Sequence, residues 1–186
     1  MAMIIFLNGT SSSGKSTLAA ELLQTLDGPF FHLAVDAFGA MRAKVEIAPE
    51  DLDDVLRRTR MGFHRAIAGM AAGGNDIVVD HILSEPWRLS DLLDVLADHE
   101  VVLVGVRCPL EELERRELAR GDRPSGLAAM QYDRVHAHGI YDIEVDTYAS
   151  SAAECAQQIK AYLNSGPALT AFDRLRKEAA ADASNS

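Results

Sequence analysis

Cysteine, positive charge and long apolar runs are all scarce in this sequence. Its 186 residues include only two cysteines, Cys108 and Cys155, which are too few for a disulfide framework and lack the paired spacing of a zinc site. We expect both to be small core residues. Acidic side chains outnumber basic ones by 28 to 18, and the formal charge of −10 opposes broad contact with nucleic acid or an anionic membrane surface.

No apolar run approaches the roughly 20 residues needed to span a bilayer. The run at 3–7 is too short for a signal-peptide core and lacks a basic flank, so we expect a cytoplasmic protein. The chain is long enough for one full core but too short for two ordinary domains. We predict one domain over residues 1–165, followed by a C-terminal helix and a frayed tail over 166–186; the oligomeric state stays open.

Short apolar segments alternate with stretches of helical periodicity. Segments typical of strands buried on both faces are Met3–Leu7, Phe30–Val35, Ile77–Val79, Val101–Val106 and Ile143–Val145. Helical spacing covers Lys15–Leu26, Leu52–Ala72, Ser90–Ala97, Leu110–Leu118 and Ala168–Ala181. This alternation implies right-handed crossovers, and it predicts a three-layer α/β/α fold with a five-stranded parallel sheet.

A glycine-rich segment between the first strand and the first helix gives the clearest functional signal. It matches the phosphate-loop (P-loop) pattern G-x-x-x-x-G-K-[ST] through Gly9, Thr10, Ser11, Ser12, Ser13, Gly14, Lys15 and Ser16, with Thr17 following. Glycines let backbone N–H groups converge on phosphate oxygens at the N-terminus of a helix. Lys15 adds a full positive charge, and Ser16 is placed to bind Mg²⁺. We therefore predict a P-loop NTPase fold that binds ATP and Mg²⁺.

Two aspartates follow predicted strands, at the sheet edge where open parallel sheets bind ligands. Asp36 follows the second strand and could accept the proton of an attacking hydroxyl group, although it could also cap a short helix. Asp80 follows the third strand and could hold the Mg²⁺ water shell or act as a base on the acceptor. We favour Asp36 as the base and Asp80 as a metal ligand.

Arginines cluster after the fourth strand, where a helical pattern breaks at Gly121 and Pro124. A lid at about 120–130 is expected here, and Arg120 and Arg123 at the break could neutralise charge on the transferring phosphoryl group. Arg115 and Arg116 lie mid-helix among glutamates, which favours a solvated charged face.

Two histidines and a set of large apolar side chains have simpler explanations than catalysis. His136 and His138 precede Gly139, where a helix is expected to end, and the helix dipole explains imidazole there. An apolar acceptor pocket or ordinary core packing would account equally for Phe38, Met41, Met61, Phe63 and Trp87.

Several segments resemble the chloramphenicol phosphotransferase family. The resemblance covers roughly residues 3–163, with the P-loop and Asp36 at the family's positions, and is carried further by Leu103–Cys108, Ala119–Arg123 and Tyr141–Thr147. It implies an adenylate-kinase-like fold with a lid, ATP with Mg²⁺, and phosphorylation of a hydroxyl on chloramphenicol. By the same resemblance Asp36 is the base, Gly9–Ser16 hold ATP, and Arg120 and Arg123 are the lid arginines.

The sequence departs from that family in two places. The segment between Met41 and Arg60, where the family builds much of its acceptor site, is shorter and different. The third strand ends in Asp80-His81 where the family has paired aspartates. The acceptor therefore stays open between a chloramphenicol-like antibiotic and a nucleoside, sugar or other natural product. The alternative from another class is a regulator that binds nucleotide and transfers nothing. Such a protein would need no acceptor base, so a base at Asp36 argues against it.

Overall fold

The computed structural model describes residues 2–120, 126–166 and 169–184, without the side chains of Arg120 and of residues 182–184. Its strands are β1 (Met3–Asn8), β2 (Phe30–Ala34), β3 (Asp76–His81), β4 (Glu100–Arg107) and β5 (Ile143–Asp146). Its helices are α1 (Lys15–Thr25), α2 (Val35–Ala40), α3 (Pro49–Ala72), α4 (Pro86–Val95), α5 (Leu110–Arg120), α6 (Leu127–Val135), α7 (Ala152–Asn164) and α8 (Ala171–Ser184).

All five strands are parallel, in the order β2-β3-β1-β4-β5. The central strand β1 pairs on both sides, with Ile4 opposite Ile77 of β3 and opposite Val101 of β4. Crossovers lead to β3 on one side of β1 and to β4 on the other. In open α/β sheets ligands bind at the carboxyl ends of the strands at such a point, which here is the end of β1. The predicted three-layer fold with a five-stranded parallel sheet is confirmed.

Two apolar layers sandwich this sheet. One packs α3, α4 and α8 against it and contains the buried rings of Phe6, Phe63 and Phe172. The other packs α1 and α7 and contains Leu18 and Cys155, among others. Cys108 is also buried, so both cysteines are core residues as predicted, and burial raises the pKa of each thiol.

Helix α2 corrects one detail of the sequence analysis. Strand β2 ends at Ala34, and Val35 already begins the helix, so Asp36 lies in the first turn of α2 rather than at the end of a strand. The position favours a carboxylate, because the partial positive charge of a helix N-terminus stabilises negative charge. Ring contact between Phe38 and Phe63, with centroids 5.5 Å apart, fixes α2 against α3.

Helix α8 packs on the same layer as α3 and α4. Ala171 and Phe172 are fully buried, and Asp142 accepts hydrogen bonds from the backbone N–H of Ala171 (2.7 Å) and of Leu103 (2.7 Å). Arg176 donates to the carbonyl oxygens of Leu93 and Leu96 at the C-terminus of α4. None of the helices in the described parts of the chain is both long enough and apolar enough to cross a membrane.

Candidate active site

The P-loop follows β1 directly and has the tight geometry that its glycines predict. A Cβ atom on Gly9 would lie 2.6 Å from the carbonyl oxygen of Val106, so any side chain would displace the backbone of β4. Gly14 has φ of 88° and precedes α1 as its N-cap, a left-handed conformation that favours glycine. The loop and the N-terminus of α1 therefore form a concave backbone surface suited to phosphate oxygens.

Lys15, Ser16 and Asp80 meet at the base of this loop. The Lys15 ammonium group is buried; it donates to the carbonyl oxygen of Thr10 (2.7 Å) and lies 4.0 Å from the Asp80 carboxylate. The Ser16 hydroxyl donates to Asp80 Oδ2 at 2.6 Å. A hydroxyl and a carboxylate at this distance are the oxygen ligands that Mg²⁺ prefers, so the chemistry of these donors fits the predicted ion.

Asp36 faces the same small cavity as the P-loop. The cavity has a volume of about 70 Å³, and its lining includes Lys15, Ser16, Asp36, Asp80 and Ile82. Both aspartates singled out from the sequence thus lie beside the P-loop, although they come from different elements. The backbone of Ser11, in the same loop, donates to the side-chain oxygen of Gln131 in α6 (3.0 Å).

Of the predicted lid arginines, Arg120 is the last residue of α5, and its side chain lies outside the described residues, as does Arg123. Arg116, which the sequence analysis assigned to a solvated face, instead reaches inward. It donates to the hydroxyl (3.1 Å) and carbonyl oxygen (2.9 Å) of Thr147, whose hydroxyl donates in turn to the carbonyl of Ser13 (2.8 Å). That prediction was wrong for Arg116. It is right for Arg115, which is exposed and pairs with Glu112.

A cavity of about 460 Å³ opens on the outer side of the P-loop, where Arg116 lies. Its lining includes Gly14, Thr17, Arg115, Arg116 and Thr147. Hydrogen bonds from Arg115 and Arg116 lower the pKa of Glu112 to about 2, so this carboxylate stays ionised and holds the Arg116 guanidinium group in place.

His81, which stands where the resembled family has a second aspartate, belongs to a buried chain of polar groups. Its Nε2 atom lies 3.1 Å from Nε2 of His64, and Nδ1 of His64 lies 2.5 Å from the Asp91 carboxylate. Burial lowers the pKa of His64 and holds that of His81 well below its ordinary value. These side-chain contacts link α3, β3 and α4 beneath the site. Because both pKa values are lowered, the two histidine rings supply no positive charge at neutral pH.

His136 and His138 form a second cluster behind the P-loop. Asn8, the last residue of β1, donates to the Tyr141 hydroxyl (2.7 Å), which lies 2.6 Å from Nδ1 of His136. Burial, followed by the charge of Arg107, lowers the pKa of His136 to about 4. His136 is therefore neutral, and the helix-dipole interpretation, which favours a charged ring, is wrong for it.

Comparison with known proteins agrees with this geometry. The family model described as chloramphenicol phosphotransferase-like protein matches residues 2–164. The chain belongs to this family. A candidate O-phosphotransferase of Mycobacterium tuberculosis is 30% identical over 204 aligned positions, which cover 94% of this chain and 88% of the relative. The chain is thus a P-loop, kinase-type O-phosphotransferase by family, and its matched region ends before α8.

Solved structures with low sequence identity share the fold. The tunicamycin resistance protein of Deinococcus radiodurans has a TM-score of 0.65 at 20% identity, covering 88% of this chain and 96% of that protein. The adenylyl-sulfate (APS) kinase of Mycobacterium tuberculosis, solved with AMPPNP and APS, has a TM-score of 0.60 at 20% identity, covering 88% and 98%. The P-loop NTPase fold predicted from the sequence is therefore confirmed.

Proposed function

We propose that this protein transfers the γ-phosphoryl group of ATP to a hydroxyl group of a small molecule. The observation that carries the proposal is the shared cavity of Asp36, Asp80, Lys15 and Ser16. A cavity that holds phosphate-binding and metal-binding groups beside a second carboxylate suits transfer to an alcohol, because the second carboxylate can accept the hydroxyl proton. A regulator that only binds nucleotide has no use for Asp36 there.

In this proposal the residues have separate roles. The backbone of Gly9–Gly14 and the Lys15 ammonium group hold the β- and γ-phosphates. Ser16 and Asp80 would hold Mg²⁺, which would neutralise part of the charge of the phosphates. Asp36 orients the acceptor hydroxyl and takes its proton as the oxygen–phosphorus bond forms and the bond to the ADP oxygen breaks. Arg120 and Arg123 have the role of neutralising charge on the transferring group.

The cavity beside Arg116 is the place we propose for the nucleotide base. It adjoins Gly14 and Thr17, so a base there would be continuous with phosphates held in the P-loop. The Arg116 guanidinium group is planar and is already held by Glu112 and Thr147, an arrangement suited to stacking on a flat aromatic ring.

Chloramphenicol is the first acceptor to test, because the family is described by it. Nucleosides, sugars and other hydroxylated natural products follow, since the segment between Met41 and Arg60 differs from the resembled family. We propose a cytoplasmic protein that acts on small molecules rather than on nucleic acid or membranes, in keeping with its charge of −10.

The deciding experiment is a transfer assay on an Asp36→Asn variant. Wild-type protein with Mg-ATP is offered this acceptor panel, and mass spectrometry detects the phosphorylated product. We expect Asp36→Asn to keep ATP binding and to lose about 10²-fold or more in turnover, because asparagine cannot take the proton. Asp98→Asn, at an exposed position in the turn between α4 and β4, serves as the control. Unchanged turnover in Asp36→Asn would remove Asp36 from this role.

A further inference from the structure

Ser12, in the middle of the P-loop, has a backbone conformation that serine rarely adopts. Its φ is 63°, and among the described residues it is the only non-glycine residue with a positive φ. Left-handed backbone brings the Cβ atom of an L-residue too close to a neighbouring carbonyl oxygen, which costs free energy, whereas glycine adopts it freely. The P-loop pattern leaves this position unspecified, so glycine would satisfy both the pattern and the backbone. Something other than loop geometry therefore favours serine here.

Contacts on both sides of Ser12 hold this strained conformation in place. The backbone N–H of Ser11 donates to the side-chain oxygen of Gln131 in α6 (3.0 Å). The carbonyl oxygen of Ser13 accepts from the hydroxyl of Thr147 (2.8 Å), the residue that follows β5. Strained residues persist only where the surrounding structure over-determines them, and they concentrate at active sites and ligand sites. The strain at Ser12 is therefore maintained by α6 and by the end of β5.

The hydroxyl of Ser12 is buried without a hydrogen-bond partner. Only 9% of the residue is exposed, and within the part of the chain that the structure describes its Oγ atom has no partner. The hydroxyls nearby differ in this respect. Ser13 Oγ accepts from the Lys15 ammonium group (3.4 Å), and the Ser16 hydroxyl donates to Asp80 (2.6 Å). A buried hydroxyl without a partner costs free energy, and an acceptor oxygen from a bound molecule would remove that cost.

Ser12 lies where two cavities meet. It lines the cavity of about 70 Å³ that contains Asp36, and it also lines the cavity of about 460 Å³ beside Arg116. Gly14 and Thr17 are the other described residues that line both. The proposed function places the γ-phosphate in the first cavity and the nucleotide base in the second, so the triphosphate would pass Ser12 between its two ends.

We propose that the Ser12 hydroxyl donates a hydrogen bond to the β-phosphate of the bound nucleotide. This contact rests on the proposed function, in which the loop holds the β- and γ-phosphates and the γ-phosphate lies beside Asp36, so that the β-phosphate is left at Ser12. A hydroxyl that donates to a phosphate oxygen forms a charge-assisted hydrogen bond, which is stronger than one to a neutral acceptor. Backbone N–H groups bind phosphate in any loop of this pattern, and Ser12 adds a side-chain donor that glycine would lack.

Nucleotide binding tests this contact without any acceptor, so the result does not depend on phosphotransfer. Calorimetric titration gives the Kd of ATP, ADP and AMP with Mg²⁺ present. In Ser12→Ala and Ser12→Gly we expect the Kd of ATP and of ADP to rise by about tenfold or more, because both nucleotides have a β-phosphate. The Kd of AMP, which has none, should stay within about twofold. A rise for ATP alone, or an equal rise for all three nucleotides, would overturn the proposal.

Ser12→Gly separates the role of the hydroxyl from the shape of the loop. Glycine adopts a φ of 63° without strain, so urea denaturation without nucleotide should give a midpoint at least as high as that of the wild type. If serine only shaped the loop, Ser12→Gly would bind ATP as tightly as the wild type or more tightly, and that result would overturn the proposal. A lower midpoint in Ser12→Gly would show that serine stabilises the loop itself, which would also overturn it.

Ser165→Ala is the matched control, since it removes a serine hydroxyl outside the lining of both cavities. Ser165 is the exposed C-cap of α7, and its hydroxyl donates to the carbonyl oxygen of Tyr162 (2.6 Å). Its Kd values should stay within about twofold of the wild type. Weakening equal to that in Ser12→Ala would contradict a specific contact at Ser12.

The outcome for Ser12 can be distinguished from the outcome for the proposed function. If ATP and ADP binding depend on Ser12 as expected but no acceptor is phosphorylated, the contact with the β-phosphate stands and the proposed transfer fails. If acceptors are phosphorylated while ATP and ADP bind Ser12→Ala as tightly as the wild type, the transfer stands and the contact is overturned.

Discussion

At the scale of single residues, neighbouring arginines on α5 have opposite environments. Arg116 donates to two oxygens of Thr147 beside the P-loop, and Arg115 projects into solvent. We expect Arg116→Lys to raise the KM for ATP by about tenfold with a smaller effect on kcat, because lysine cannot donate to both oxygens and stack on a base at once. Steady-state kinetics with varied ATP measure this.

Arg58→Lys is the matched control, since it makes the same substitution at an exposed position on α3, outside the lining of the cavity beside Arg116, and should leave the KM within about twofold. Equal KM values in the two variants would show that Arg116 does not contact the nucleotide.

The contrast between Arg115 and Arg116 shows what the sequence can predict for a site. The P-loop pattern is local, so Gly9, Lys15 and Ser16 could be identified from spacing alone. The contact of Arg116 with Thr147 joins residues 31 positions apart, and the histidine pair of His64 and His81 depends on how α3 packs against β3. Neither contact follows from helical periodicity, which gives the face of a side chain but not its partner.

At the scale of elements, short apolar runs predicted the five strands and helical periodicity predicted the long helix α3, with ends displaced by a few residues. Helix α7 was not predicted, although its start could have been read from the sequence: Ser151 and Glu154 form a capping box that the structure contains. The sequence analysis considered helix α2 only as a short helix that Asp36 could cap instead of acting as a base, because six residues are too few to show a helical period.

Helix α8 lies beyond the family match and gives a prediction about stability. Phe172 is fully buried, and its ring centre lies 6.4 Å from that of Phe6 in β1. Phe172→Ala should lower the free energy of unfolding by about 3–5 kcal/mol, through lost burial and the cavity that remains. Urea denaturation followed by circular dichroism measures the change.

Lys177→Ala, on the exposed face of the same helix, should change the free energy of unfolding by less than about 0.5 kcal/mol. If Phe172→Ala were as stable as Lys177→Ala, then α8 would not be part of the core in solution.

At the scale of the whole molecule, four partly or fully buried histidines, His64, His81, His136 and His138, make stability depend on pH. Burial is the leading cause that lowers the pKa of each, and for His136 the value is about 4. A histidine whose pKa is lower in the folded state than in the unfolded chain favours the fold when it is neutral. This stabilisation is complete above the unfolded pKa of about 6.5 and decreases as the pH falls toward the folded pKa.

The free energy of unfolding should therefore decrease from pH 7 to pH 5, a range in which the unfolded chain binds more protons than the folded protein. Urea denaturation at several pH values, followed by circular dichroism, gives the slope. His136→Asn keeps a polar atom near the Tyr141 hydroxyl but cannot titrate, so its slope should be shallower. A slope in His136→Asn equal to that of the wild type would show that folding does not lower the pKa of this ring.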